Sequence, residues 1–357
     1  MISFEFFRKE LSKWFNENRE NHFFRQDRTA YKTWISEVAL QQTRIQAALT
    51  PLKRFLDAFP DVYSLAQSDE ESVVHAFRGL GYYNRARNLR KGAKFIVENH
   101  SGKMPATYQE LLKIPSIGPY TASAIASICF QEKVGVIDGN VKRIYARLHA
   151  VNQKITSHIF NKNLETFMSS FINSNLPPGD LNEALMEFGQ KVCVAKSPEC
   201  SKCPFNRECK GCLEGKPEEY PVRDQAIEKV KVEWHVLIYK NGNKIAVEKY
   251  KDFRFLKSHW GFPSFLNFPG SAMESSAGVK NKIDSAETIG GLSHTITHHK
   301  IKFVIYSYTS GVKDEGYEWV LIDDMEKKLA ASCLSKVWNI YKKQLDLPGG
   351  GLEPPRD

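Results

Sequence analysis

Leu111-Leu112-Lys113-Ile114-Pro115-Ser116-Ile117-Gly118-Pro119-Tyr120-Thr121-Ala122 reads as the end of one helix, a tight turn, and the start of a second helix rich in small residues. The turn sets backbone N–H groups at a helix N-terminus, where unpaired donors and the helix dipole suit a phosphate oxygen. That is the shape of a helix-hairpin-helix clamp on a nucleic-acid backbone. Taken alone, an ordinary turn between antiparallel helices reads the same way.

Around this segment, residues 1–190 form a succession of helices, with apolar positions three and four apart in Tyr31 to Leu49 and Glu71 to Phe77. Turns fall at Phe59-Pro60-Asp61, Gly79-Leu80-Gly81, Ile114 to Gly118 and Leu176-Pro177-Pro178-Gly179. A cysteine-rich stretch closes this half, and the polar segment 213–229 is read as a linker. Val230 to Tyr250 then alternates around Asn241-Gly242, a hairpin signal, and Thr295 to Tyr308 is a second β-rich run. Helical spacing returns at Met325 to Leu345, and the tail from Pro348 is expected to be disordered.

The 357 residues, 42% hydrophobic and 25% charged, exclude a fibrous or fully disordered protein and suggest two domains. A formal charge of +9 points to a polyanionic partner, nucleic acid first and an anionic membrane surface second. The longest charge-free run, Ile114 to Gln131, holds Pro115, Gly118 and Pro119, so no transmembrane helix is expected. MISFEFFRKELSKWF at the start lacks the uncharged core of a secretory signal, and the chain is read as cytoplasmic.

Cys193, Cys200, Cys203, Cys209 and Cys212 crowd into one loop, while Cys129 and Cys333 stand apart. In a non-secreted chain such crowding suggests a metal site rather than disulfides. Four thiolates at Cys193, Cys200, Cys203 and Cys209 suit a 4Fe-4S cluster, with zinc as the alternative and Cys212 as a substitute ligand.

Three further stretches carry chemistry. In Val136-Ile137-Asp138-Gly139-Asn140-Val141-Lys142-Arg143 an acid precedes a basic helix, either as its N-cap or as a carboxylate facing a developing cation. In Trp34 to Arg44, Glu37, Gln41 and Arg44 are spaced to form one polar helical stripe, a solvated face or an acid beside base-reading groups. In Gly79 to Lys91 a glycine turn and Tyr82-Tyr83 lead into a helix bearing Arg85 and Arg87, which suits stacking on bases beside phosphates.

In this order the stretches resemble the adenine-specific DNA glycosylases, the MutY family of the endonuclease III-like superfamily. The match runs from about Trp14 to Cys209 and is carried by SEVALQQT at 36–43, GLGYYNRARNL at 79–89, DGNVKR at 138–143 and the cysteine spacing. The resemblance implies a multidomain chain: an all-α helix-hairpin-helix glycosylase domain (1–212) with a 4Fe-4S loop (193–209), and an α+β Nudix-like domain (230–347) that reads 8-oxoguanine. It further implies a monomer bound to double-stranded DNA, associated with the nucleoid, that removes adenine paired with 8-oxoguanine or guanine.

By the same resemblance Glu37 would protonate adenine N7 and then activate water, and Asp138 would stabilise the sugar cation. Asn140 and Tyr120 would orient Asp138 and the sugar, and Arg25 and Glu183 would lie near the flipped adenine. Gln42 and Tyr82 would enter the duplex as wedges. Gln41, Arg85, Arg87, Ile117 and Gly118 would contact DNA, and Thr297 and His298 the opposite base. Tyr120 stands where bifunctional relatives carry a lysine, so strand cleavage is not expected. Three departures accompany the match: His22-Phe23-Phe24-Arg25 replaces a Leu-Pro-Trp-Arg-like segment, Ser116 replaces a hairpin glycine, and Ile296-Thr297-His298 replaces Phe-Ser-His.

Overall fold

The computed structural model describes residues 2–41, 43–81, 83–224, 228–271, 273–276 and 278–345. Gln42, Tyr82 and the tail from Pro348 therefore lie outside the described residues. The chain forms two compact units: Met1–Ala76 with Asn84–Gln225, and Phe77–Tyr83 with Ala226–Asp357.

The first unit is helical: α1 (Phe4–Asn18), α2 (Ala30–Leu40), α3 (Ile45–Ala58), α4 (Val62–Gln67), α5 (Glu70–Ala76), α6 (Asn84–His100), α7 (Tyr108–Leu111), α8 (Pro119–Phe130), α9 (Gly139–His149), α10 (His158–Ile172), α11 (Pro178–Lys191) and the short α12 (Lys210–Leu213). Local chemistry sets many starts: the side chains of Ser3, Thr29, Asp61, Asp138 and Ser157 accept from first-turn N–H groups. Phe7, Leu11 and Phe15, each four apart, turn one face of α1 into a core with Phe160, Phe171 and Phe188. Helix α8 is buried on nearly every side from Thr121 to Ser127, and its Ala and Ser residues let α2 and α11 come close.

Between α2 and α3 the structure departs from the sequence reading. The polar stripe of Glu37, Gln41 and Arg44 does not lie on one helix: α2 ends at Leu40, Gln41 is its C-cap, and Arg44 caps α3. The cause is tertiary, since Arg85 from α6 donates to the carbonyls of Val38 and Gln41 and so satisfies the end of α2.

Nor is 213–229 a linker over most of its length. Tyr220 is buried in the helical core, the Arg147 guanidinium donates to the carbonyls of Pro217 and Tyr220, and Ile155 N–H bonds Val222 O at 2.9 Å. The first unit accordingly runs through Gln225.

The second unit is built on a mixed, mostly antiparallel sheet of β1 (Val230–Asn241), β2 (Lys244–Lys249), β3 (Trp260–Gly261), β4 (Ser264–Asn267), β5 (Glu274–Ser275), β6 (Glu287–Ile296), β7 (His299–Thr309) and β8 (Glu318–Leu321). β1 pairs with β7 in parallel and with β2 and β4 antiparallel. The Thr295–Tyr308 run is two strands, not one, because the chain reverses at Thr297, whose φ is +52°. In β7 buried Ile301, Phe303 and Ile305 alternate as a half-buried strand requires, whereas in β1 Val236, Leu237, Ile238 and Tyr239 are all buried, so both faces of that stretch are covered. Helices α13 (Val279–Ile283), α14 (Met325–Lys328) and α15 (Ser332–Leu345) complete the unit, α15 burying Leu334, Val337, Trp338 and Tyr341.

Helices α7 and α8 form the hairpin expected at 111–122, and Ser116 sits in its turn at φ +75°. A left-handed serine is strained, yet its Oγ lies 3.2 Å from Trp34 Nε1 and takes that indole proton. On the other side the backbone of Gly92 packs so closely that a Cβ there would lie 2.4 Å from Pro115 O. Ser116→Gly should thus relieve the backbone but orphan the Trp34 indole, the two effects nearly cancelling. Ser116→Ala keeps the strain, loses the bond, and should destabilise by about 1–2 kcal/mol in denaturant melts.

Candidate active site

Glu37 on α2, Tyr120 at the start of α8, Asp138 and Asn140 at the start of α9, and Glu183 on α11 line one cavity of about 480 Å³. Tyr120 Oη donates to Glu37 Oε2 at 2.6 Å and also approaches Met186 Sδ at 3.4 Å. Asp138 is the N-cap of α9, accepting from Val141 N–H and from Asn140 Nδ2, each at 2.7 Å. Asp138 is thus the helix cap, and its residue also lines the cavity.

Burial raises Glu37 from 4.5 to about 7; the Tyr120 hydrogen bond and the Arg25 charge oppose that rise, while the carboxylates of Glu183 and Asp138 add to it. Burial also lifts Asp138 above its ordinary value, against the N–H groups of Val141 and Asn140. Arg143 pulls the other way but weakly, since it reaches Asp138 through Asn140, donating to Asn140 Oδ1 at 2.8 Å. The site therefore offers a carboxyl that is half-protonated near neutral pH beside a second carboxylate held at a helix N-terminus.

A band of alternating charge borders the cavity. Arg25 Nη1 lies 2.7 Å from Glu187 Oε2 and Arg25 Nε lies 3.3 Å from Glu183 Oε1. Arg28 Nη2 donates to both oxygens of Glu183, at 2.7 and 2.9 Å. Burial alone would raise Glu187, but Lys191 and Arg25 hold it below its usual range. Arg28, Met186 and Glu187 were not singled out from the sequence. The four-residue spacing of Glu183, Glu187 and Lys191 is the signal that was available.

Other expected contacts are placed differently. Ile117 is buried and its N–H bonds Ile114 O, so the hairpin's outward donors belong to Gly118 and the first turn of α8, which starts without a side-chain cap. Gln41 Nε2 donates to Thr121 Oγ1 at 3.2 Å, and Arg87 pairs with Glu70 at 2.8 Å. Arg85 is the internal cap already described. In the second unit Thr297 and His298 are exposed at the β6–β7 turn, with the His298 ring 4.0 Å from that of His299.

Cys193, Cys200, Cys203, Cys209 and Cys212 line one small cavity beneath α9. All are free thiols, and among the described residues no three His, Cys, Asp or Glu side chains already converge as ligands of one ion. Arg147 runs under the loop: its guanidinium donates to the carbonyls of Val194 at 2.6 Å and Ala195 at 2.9 Å and lies 3.4 Å from Cys193 Sγ. Arg143 bonds Cys193 O at 2.7 Å, so two turns of α9 hold the loop.

The helical bundle, the hairpin and the two-carboxyl cavity together define a class. Residues 35–169 match the HhH-GPD superfamily of base excision DNA repair proteins. Among solved structures, a thermostable thymine-DNA glycosylase overlays 59% of this chain and 97% of its own with a TM-score of 0.54 at 20% identity, a likeness of fold. The adenine DNA glycosylase of Buchnera aphidicola subsp. Acyrthosiphon pisum is 33% identical over 261 residues, covering 71% of this chain and 73% of that protein. The mouse adenine DNA glycosylase is 37% identical over 213 residues, covering 57% of this chain and 41% of that protein. The chain belongs to the adenine DNA glycosylase family, enzymes that hydrolyse N-glycosylic bonds. Among the described residues no helix is long and apolar enough to cross a membrane.

Proposed function

We propose that the chain is a monofunctional glycosylase that removes adenine paired with 8-oxoguanine, or with guanine, from double-stranded DNA and leaves an abasic site. The observation that carries this reading is Glu37, half-buried in the cavity with a pKa near 7 and held by Tyr120. The bond to be broken is unreachable inside the stack, so the adenine must be extruded into the cavity.

Cleavage creates an oxocarbenium-like sugar and an anionic purine. Glu37 as the acid gives its proton to the leaving base, and as the carboxylate it then takes one from water. Asp138, fixed by Val141 N–H and Asn140, faces the cationic sugar. Tyr120 supplies a hydroxyl and no amine, and among the described residues no lysine lines the cavity, which supports hydrolysis without a Schiff base.

Cys193, Cys200, Cys203 and Cys209 would hold a 4Fe-4S cluster. The fit lies in their chemistry, four thiols around one cavity with Arg147 beside Cys193, and a fifth thiol, Cys212, in reach. Bound there, the cluster would supply a rigid cross-link for a loop that has little secondary structure. The second unit would act as a Nudix-like reader of 8-oxoguanine through exposed Thr297 and His298, and Gly118 with the N-terminus of α8 would bind a phosphate.

The purified chain should convert a duplex bearing adenine opposite 8-oxoguanine into one cleaved at the adenine only after alkali. Scission without alkali would overturn the monofunctional reading, and no alkali-labile site would overturn the function.

A further inference from the structure

We propose that Glu187 and Arg28 are positioning residues that fix Arg25 and Glu183 as a donor beside an acceptor, selecting a purine that carries an exocyclic amine. The inference rests on the function proposed above and concerns how the cavity chooses its base.

Glu183 and Glu187 lie one turn apart on α11 with side-chain exposures of 8% and 5%. Two carboxylates so placed repel each other. Arg25 lies between them, Arg28 closes the Glu183 end with two bonds, and Lys191 closes the other end at 2.7 Å from Glu187 Oε1. Glu187 Oε1 also accepts the Glu20 N–H at 2.9 Å, and Arg25 Nη1 donates to Glu20 O at 3.0 Å, which anchors Arg25 from two sides.

The arrangement leaves a specific bond unmade. Arg25 Nε is buried without a hydrogen bond, its 3.3 Å approach to Glu183 being an ion-pair contact only. Glu183 Oε2 accepts from Arg28 alone and keeps acceptor capacity. Arg25 and Glu183 both line the cavity, and a guanidinium beside a carboxylate matches a base edge offering an N–H of an amine next to a ring nitrogen. A base with a carbonyl there sets oxygen against carboxylate, and a base with hydrogen there leaves the acceptor unmet. Glu187 holds the Arg25 guanidinium and Arg28 holds the Glu183 carboxylate, so the two groups present a fixed pair.

The test is single-turnover excision of adenine, purine and hypoxanthine placed opposite 8-oxoguanine. For Glu187→Gln the adenine-to-purine rate ratio should fall about tenfold relative to the unaltered chain, with DNA affinity within about twofold. Glu187→Asp, which restores the charge, should recover most of the ratio. Arg28→Gln should lower the ratio similarly and serves as the second probe if Glu187→Gln does not fold. An unchanged ratio in a folded Glu187→Gln or Arg28→Gln protein overturns the inference. Failure of the unaltered chain to excise adenine at all would instead overturn the proposed function.

Discussion

Glu37→Gln should lower adenine excision by about 10²–10⁴-fold while leaving DNA affinity nearly unchanged, because the lost group acts on a proton rather than on the duplex. For the unaltered protein the rate should decline as pH rises through about 7, where Glu37 loses its proton, and decline again in acid as Asp138 is neutralised. The same substitution should raise stability at alkaline pH. An acid whose folded pKa lies above its unfolded value binds protons better when folded, so its effect on stability is nil below about 4.5 and becomes fully unfavourable above about 7. Glu37→Gln should therefore stabilise the helical unit at pH 8 by up to about 3 kcal/mol and by almost nothing at pH 4. Chemical denaturation at the two pH values reads this directly. A uniform effect at both would show that Glu37 is not held protonated by its surroundings.

Arg147→Met should be the most damaging single change in the first unit, costing about 3–5 kcal/mol. The side chain is 2% exposed, and its donors satisfy the carbonyls of Val194, Ala195, Pro217 and Tyr220. Methionine fills similar space but removes the donors to Val194, Ala195 and Tyr220, and leaves Pro217 O with only the 3.4 Å bond from Tyr220 N–H. Because they belong to the cysteine loop and the segment leading to Tyr220, limited proteolysis of the variant should cut first between residues 193 and 224. Loss confined to another part of the helical unit would contradict that view of Arg147.

What the sequence revealed and what it hid divide along physical lines. Features that depend on a few neighbouring residues were readable: the hairpin at 111–122, the Asp138 cap, the Asn241-Gly242 turn and the crowding of cysteines. Features set by residues far away in the chain were not. The end of α2 at Leu40 is fixed by Arg85, 44 residues beyond its Gln41 contact, and nothing in Gln41-Gln42-Thr43 announces a break. The 213–229 stretch looks like a linker because it is polar, yet Arg147 and the buried Tyr220 bind it to the helical core. Strand β6 escaped notice because Gly290 and Gly291 interrupt its alternation at a register shift. In the cavity, Glu37, Tyr120, Asp138 and Asn140 were found as members of motifs, whereas Arg28 and Glu187 emerge only from the charges they meet.

The arginines of α6 and α9 carry a consequence for any count of positive charge. Arg85 and Arg90 donate to backbone carbonyls, Arg87 pairs with Glu70, and Arg143 and Arg147 are buried beneath the cysteine loop. A guanidinium already engaged inside the protein displaces few condensed counterions when a duplex arrives. The slope of log affinity against log salt, about −0.9 for each phosphate neutralised in B-form DNA, should accordingly fall well short of the value that the basic stretches of this chain suggest on paper.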